Sequence, residues 1–328
     1  MIPERIKNIL KKQHYEIVGE HSAVQICRWT KRSLRDEEVC YKEKFYGIKS
    51  HLCCQMTPAV MWCPNKCIHC WRAIELTLGH KLPKKTDSPA NIIDGCILAQ
   101  RKLLQGFKID KKSEKIQMSK ANQKKYFEAQ EPMQFAISLS GEPTLYDQIG
   151  NLILELRKRR KTSFLVTNGL YPEKIEELII KNQLPTQLYV SVNASNEKLW
   201  KKFHQSKFED GWKKLNETLS LFAKMKRKTR TVFRMNLVRN LNMSDEHVKE
   251  YAELIKKSKP LFVEIKGYMS VGFARERLGY DRMPDDKEMK IFVEKLAKET
   301  GLKILDSHER SRAWVLGKDK RDLKIRVI

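Results

Sequence analysis

Residues 59–70 read Ala-Val-Met-Trp-Cys-Pro-Asn-Lys-Cys-Ile-His-Cys. The four apolar residues predict a short strand at 59–62, and a loop carrying Cys63, Cys67 and Cys70 follows directly. Three thiols in a C-x3-C-x2-C spacing suit a [4Fe–4S] cluster, whose soft irons prefer sulfur. No fourth cysteine completes the loop, so one iron is left open to another ligand. Structural zinc sites usually pair two C-x2-C knuckles and close with four protein ligands. Only Cys67 and Cys70 make such a pair, which keeps zinc as the secondary reading.

Downstream of this loop the chain alternates between two periodicities. Apolar runs at 133–139, 164–167, 188–193, 231–238 and 261–266 predict strands, six in all with 59–62. Segments of helical period lie between them, at about 90–107, 147–160, 173–182, 209–226 and 245–257. Pro172 and Ser244-Asp245 supply helix-start signals. Repeated βα units demand right-handed parallel crossovers. The expected fold class is therefore α/β, a partial (β/α)6 TIM-like barrel with its chemistry at the strand C-terminal ends. With no internal repeat and no Gly/Ser linker, the expected division is an N-terminal extension at 1–57, a core at 58–300, and a C-terminal segment at 301–328. That last segment is expected to pack on the barrel as a further strand and a basic tail.

Polar groups recur where strands should end. Ser140-Gly141-Glu142-Pro143 follows the second strand, where glycine lets backbone approach a ligand and a carboxylate suits an ammonium group. Asn168-Gly169 ends the third strand, Ser191 and Asn193 the fourth, and Arg234 lies on the fifth. Asn168-Gly169 also reads as a plain strand-to-helix turn, and Arg234 as one solvated basic position among many.

The 328 residues include 65 Lys and Arg against 40 Asp and Glu, a formal charge of +25. A hydrophobic fraction of 41% supports a core and excludes a disordered chain. There is no long uncharged apolar stretch and no signal-like start, so a cytoplasmic protein without a membrane span is expected. Basic runs at 158–161, 224–230, 108–125 and 318–326 point to a polyanion, with nucleic acid as the leading partner. The alternative is a lysine-rich composition whose charged faces are merely solvated. Of eight cysteines, seven lie between 27 and 70, which in a reducing compartment signals metal or redox chemistry. Cys96, in the apolar pattern IIDGCILAQ, reads as a core helix residue.

The loop at 63–70 resembles the signature of the radical S-adenosylmethionine (SAM) enzymes. The resemblance implies that Cys63, Cys67 and Cys70 hold three irons while SAM chelates the fourth, and that reductive cleavage of SAM yields a 5′-deoxyadenosyl radical. His69 departs from the aromatic residue usual there, although imidazole can still stack on adenine. Gly141-Glu142-Pro143 is similar to the superfamily motif that binds the amino group of SAM. Ser191 and Asn193 would then contact the ribose and Arg234 the carboxylate, with Asn168 as a further SAM-binding candidate.

A second set, Cys27, Cys40 and Cys53, has twelve residues between successive members, and Cys54 beside Cys53 leaves two choices of ligand. Buried structural cysteines are the plainer reading; three thiols with a fourth again missing also suit a second cluster with an accessible iron. Together with VCYKEKFYGI (39–48), CIHCWR (67–72), AISLSGEPTLY (136–146), VTNG (166–169) and VEIKGYMSVG (263–272), this set resembles the archaeal type of the tRNA 4-demethylwyosine synthases. The resemblance runs from about residue 5 to 316. It implies two [4Fe–4S] clusters, SAM as cofactor, and condensation of N1-methylguanosine-37 of tRNA(Phe) with two carbons of pyruvate. Lys42, two residues after Cys40, would form a Schiff base with pyruvate, although Lys44 and Lys49 sit nearby in sequence. A separate flavodoxin- or ferredoxin-type electron donor and a monomeric enzyme are expected. The tRNA anticodon loop would present its base to aromatics such as Trp29, Trp62, Trp71, Tyr41 or Tyr46. Two competitors remain at this point: a radical SAM methylthiotransferase, which needs its own triad domain and a C-terminal RNA-binding barrel, and a zinc-stabilised non-catalytic RNA-binding module.

Overall fold

The computed structural model describes residues 2–108 and 121–325. The chain divides into two compact units, one comprising Met1–Trp62, Lys81–Leu165 and Lys324–Ile328, the other Cys63–His80 and Val166–Leu323.

In the first unit, β1 (Glu16–Val18) and β2 (Ser22–Gln25) form an antiparallel hairpin, and β2 pairs antiparallel with β3 (Cys53–Thr57). From β3 the direction changes. β4 (Gln134–Ile137) runs parallel to β3 with Gln134 opposite Cys53, and β5 (Thr162–Thr167) runs parallel to β4 with Thr162 opposite Gln134. All four residues of β4 are buried, as befits a strand inside a parallel sheet. The helices are α1 (Glu4–Lys12), α2 (Arg28–Leu34), α3 (Tyr41–Tyr46), α4 (Pro89–Leu104), α5 (Gln123–Glu128) and α6 (Ile149–Lys158). α4 starts where the sequence says it should: the Ser88 side chain accepts from Asn91 N and Pro89 occupies the first turn. Cys96 is buried on its inner face.

In the second unit, β6 (Gln187–Ser191), β7 (Arg230–Leu237) and β8 (Phe262–Gly267) are parallel, with Ser191 opposite Arg234 and Arg234 opposite Glu264. Its helices are α7 (Pro172–Ile180), α8 (Glu197–His204), α9 (Gly211–Ser220), α10 (Asp245–Ser258), α11 (Ala274–Leu278) and α12 (Asp286–Thr300). α10 buries Val248, Tyr251, Ala252 and Ile255, the repeat of three and four that places one helix face on a core. Capping boxes at Ser244/His247 and Asp285/Glu288 fix the starts of α10 and α12.

Three expectations change. Residues 59–62 form a turn rather than a strand: Trp62 N donates to Ala59 O, and Met61 takes a positive φ of 68° that no strand allows. The strand lies upstream at Cys53–Thr57, where polar residues interrupt the apolar pattern. The segment after 301 supplies two strands instead of one. β9 (Lys303–His308) and β10 (Ala313–Gly317) pair antiparallel, and β10 pairs antiparallel with β8. Finally, β1, β2, α1, α2, α3, α5, α8, α11 and α12 have no counterpart in the sequence pattern.

The basic runs divide in the same physical terms. Arg159 is bound to Asp94 and Glu155, and Lys161 is buried against Glu131 and the Pro132 carbonyl. Lys224 pairs with Glu176, and Arg230 donates to Gln187 and to the Asp322 and Leu323 carbonyls. Lys226, Arg227 and Lys228 between them are exposed. Residues 109–120 of the run at 108–125, and residue 326 of the tail run, lie outside the described residues. No helix among the described residues is long and apolar enough to cross a membrane.

Candidate active site

In the second unit the cysteine loop has little regular structure of its own and is held by its neighbours. The C-terminal end of α8 acts as a template: Ile68 N donates to Phe203 O (3.1 Å), Lys66 N to His204 O (2.9 Å), and Lys207 N returns to Pro64 O (2.9 Å). Gln205, in the left-handed region at φ 44°, ends the helix and turns the chain along the loop. On the far side, the Arg277 guanidinium donates to the carbonyls of Ile68, Cys70 and Arg72 and pairs with Glu75. Gly272, at φ 56°, lies where a Cβ would strike the Trp71 carbonyl, and Phe273 N donates to that same carbonyl.

Cys63, Cys67 and Cys70 form no disulfide; the first is buried and the others are half-buried. Desolvation, reinforced by Cys63 and Cys70, pushes the Cys67 thiol well above its ordinary range. Bound iron would reverse that penalty, because a coordinating thiol is deprotonated outright. Buried polar atoms without a hydrogen-bond partner gather in this unit: both side-chain atoms of Asn65, His69 Nδ1, Asn193 Oδ1 and His204 Nε2. Such orphans are costly in a closed core and fit a site built for a polar ligand. The residues thus suit a [4Fe–4S] cluster with SAM.

The expected SAM contacts in this unit converge on the loop. Asn168 Nδ2 is 4.0 Å from Cys63 Sγ, while its Oδ1 accepts from Leu170 N. Asn193 Nδ2 is 3.4 Å from His69 Nε2, and Asn242 holds the Asn193 carbonyl. Desolvation and the charges of His204 and Arg234 push the buried His69 imidazole well below its usual value. Arg234 already faces a carboxylate, its Nε 3.4 Å from the fully buried Glu264. Ser191 is half-buried at the end of β6. The Gly141-Glu142-Pro143 turn belongs to the first unit. Gly141, at φ 73°, leaves no room for a Cβ against the Ala59 and Trp62 carbonyls. Glu142 N donates to Trp62 O, the residue before Cys63, and its buried carboxylate accepts from Thr144 N and Oγ1.

The upstream triad is assembled by secondary structure. Cys27 is the N-cap of α2, Cys40 the N-cap of α3 with its sulfur accepting from Lys42 N, and Cys53 opens β3. Ser50 ties these pieces together: it accepts from Cys40 N, donates to Glu43, and its carbonyl accepts from Thr30. Desolvation pushes the Cys40 and Cys53 thiols up to about 12; Cys27 adds to both shifts and the Lys42 ammonium opposes both. Lys42 therefore lies beside the triad, its Nζ 5.0 Å from the centre of the Phe164 ring. Cys54 faces away. Alternation along β3 buries it on the other side, where it is hydrogen-bonded to Cys96. Cys27, Cys40 and Cys53 form no disulfide, and their thiols and the Lys42 amine lie near enough to influence one another electrostatically.

Of the aromatics considered for stacking, Trp62, Tyr41 and Tyr46 are buried and Trp71 is half-buried. Trp29 is half-buried with the Arg28 and Arg32 guanidiniums each 5.9 Å from its ring centre. His204, Arg277 and Thr144 escaped the sequence reading. The start of α8 was signalled by Asn196, whose side chain caps Leu199 N, and by the apolar spacing of Leu199, Trp200 and Phe203.

Residues 58–255 match the radical SAM superfamily, and residues 257–318 match the family of wyosine base formation. The chain is 45% identical to the S-adenosyl-L-methionine-dependent tRNA 4-demethylwyosine synthase of Pyrococcus abyssi, over 98% of this chain and 91% of that one. The chain belongs to the tRNA 4-demethylwyosine synthase family. The Methanocaldococcus jannaschii member is 33% identical over 98% and 99% of the two chains. A solved structure of TYW1 with a lysine–pyruvate adduct bound matches with a TM-score of 0.84 at 34% identity, covering 99% and 98%. The crystal structure of archaeal TYW1 matches with a TM-score of 0.76 at 30% identity, covering 99% of each chain. The fold class is accordingly the α/β partial barrel of radical SAM enzymes, and the chain is an enzyme of wyosine biosynthesis that uses SAM and a [4Fe–4S] cluster. Neither a methylthiotransferase nor a zinc-stabilised binding module is favoured.

Proposed function

We propose that this enzyme joins N1-methylguanosine-37 of tRNA(Phe) to two carbons of pyruvate, forming the tricyclic base 4-demethylwyosine. The observation that carries the reading is Lys42 beside the thiols of Cys40 and Cys53, in a chain 34% identical to a relative solved with a lysine–pyruvate adduct.

When bound, the loop cluster and SAM would supply the radical chemistry needed to take a hydrogen atom from the N1-methyl group. Cys63, Cys67 and Cys70 hold the iron. Glu142, presented by Gly141 and Pro143, would receive the SAM amino group; Ser191 and Asn193 would take the ribose and Arg234 the carboxylate, with Asn168 as a further SAM contact. Cys27, Cys40 and Cys53 would hold a second [4Fe–4S] cluster, beside which pyruvate would bind. The Lys42 amine adds to the pyruvate carbonyl carbon, and the carbonyl oxygen leaves as water, which anchors the two-carbon donor. Residues 1–57 serve as the second-cluster extension, 58–300 as the radical SAM core and 301–328 as the packed C-terminal segment. The anticodon loop of tRNA(Phe) is the docking partner, and the exposed Lys226–Lys228 run suits its phosphates. The enzyme works as a cytoplasmic monomer reduced by a separate flavodoxin- or ferredoxin-type donor.

The test is anaerobic incubation of reconstituted protein with reductant, SAM, pyruvate and tRNA bearing N1-methylguanosine, followed by nucleoside mass analysis. A tricyclic nucleoside that requires both SAM and pyruvate is expected. Unchanged N1-methylguanosine, with 5′-deoxyadenosine still forming, would contradict the proposed reaction.

A further inference from the structure

His204, the last residue of α8, is 2% exposed, and its Nδ1 lies 3.0 Å from Cys67 Sγ. Its ring has little freedom. Ring centres of Trp200 and Phe203 lie 5.5 and 5.6 Å away, and the His69 ring stands edge-on at 6.1 Å. Its carbonyl is fixed as well, accepting from Lys66 N in the cluster loop. The helix that carries it is anchored by buried Leu199, Trp200 and Phe203.

A thiolate bound to iron carries no proton. The hydrogen in this contact can then only sit on His204 Nδ1, which makes it an N–H···S bond and settles the tautomer. Nε2, the other ring nitrogen, is buried and makes no hydrogen bond, so the ring's polar contact is directed at the sulfur. Hydrogen bonds to cluster sulfurs are one of the protein's levers on iron–sulfur reduction potential, and burial preserves their strength.

We propose that His204 is a positioning residue for the loop cluster: its Nδ1–H donates to Cys67 Sγ, favours the reduced and more negative cluster, and raises its reduction potential. The inference rests on the reading of Cys63, Cys67 and Cys70 as cluster ligands. One electron enters from the external reductant, which is oxidised by one electron, and the proton stays on His204. Because the cluster must be reduced before SAM is cleaved, this bond adjusts how readily a donor can start a turnover.

The test compares reconstituted wild type, His204→Phe and His204→Asn in anaerobic redox titrations. The signal followed is the paramagnetic resonance of reduced cluster that shifts when SAM is added. His204→Phe keeps a ring but lacks the N–H; at equal iron content its reduction is expected to be about tenfold less favourable, 59 mV lower for a one-electron couple. His204→Asn offers an amide N–H toward the sulfur and is expected to restore most of the loss. Equal potentials in wild type and His204→Phe would overturn the proposal. Should His204→Phe fail to take up iron, His204→Asn decides: a wild-type-like potential supports the hydrogen bond, and any other result overturns it. Failure of the underlying ligand assignment looks different, because Cys67→Ala would then keep the SAM-responsive signal.

Discussion

The loop at 63–70 and the triad at 27, 40 and 53 each offer three thiols, yet they are built in opposite ways. In the loop the spacing is local and the surroundings supply rigidity, through α8 on one side and Arg277 on the other. In the triad each cysteine starts a different element, so the site exists only when α2, α3 and β3 have packed. Closure entropy does not forbid the second design. Stretching the closed segment from four residues to thirteen costs only about 1 kcal/mol on the logarithmic dependence for flexible loops. The lesson is a division of labour: a compact sulfur loop clamped by its surroundings, and a dispersed sulfur triad that brings a lysine with it.

That comparison breaks most sharply at the loop thiols. Cys63→Ala, Cys67→Ala and Cys70→Ala are each expected to abolish SAM cleavage, because each removes one iron ligand. Chromatography of 5′-deoxyadenosine checks this, and measurable cleavage in any of the three would end the assignment of the loop.

On the triad side, Lys42→Ala is expected to keep the iron content and SAM cleavage of wild type while losing the tricyclic product entirely, as follows from the proposal that Lys42 anchors pyruvate. Full product formation would move the anchor to another group.

Between these extremes, Glu142→Ala is expected to weaken SAM binding about tenfold or more, the scale of a lost charge-assisted hydrogen bond, with iron content unchanged. Loss of iron instead would make the Glu142–Thr144 turn a structural prop. Arg277→Ala removes the guanidinium donor from the Ile68 and Cys70 carbonyls of the loop, and from Arg72 O, which keeps Ile74 N. A chelator should then strip loop iron about tenfold faster, the effect of losing roughly 1.4 kcal/mol of hydrogen bonding, while triad iron leaves at the wild-type rate. Equal acceleration at both sites would mean that Arg277 supports the whole fold and not the loop.

The smallest effect sharpens the ligand choice within the triad. Cys54→Ala removes a small apolar group packed on Cys96 and should cost about 1 kcal/mol of stability with product formation near wild type. Cys53→Ala should lose iron.

These differences also explain what could be read in the sequence. The loop was legible because three cysteines within eight positions are a local signal. The strand in front of it was misplaced, because AVMW looks like a strand until the left-handed turn at Met61 is known. The triad's spacing was visible, but spacing cannot reveal the pleat of β3, which puts Cys53 and Cys54 on opposite sides of the strand. His204 and Arg277 stayed hidden for a related reason. Each meets the loop only through tertiary packing, His204 from 137 residues away and Arg277 from 207. α8 itself is short and lysine-rich, so its three buried apolar residues did not read as a face.

The division between the two thiol sites is tested most directly by Cys40→Ala, assayed for iron, 5′-deoxyadenosine and tricyclic nucleoside in one anaerobic sample. The expected result is a loss of about four irons, the content of one cubane, with SAM still cleaved and no tricyclic base formed. Wild-type iron together with full product from Cys40→Ala would contradict the two-site account.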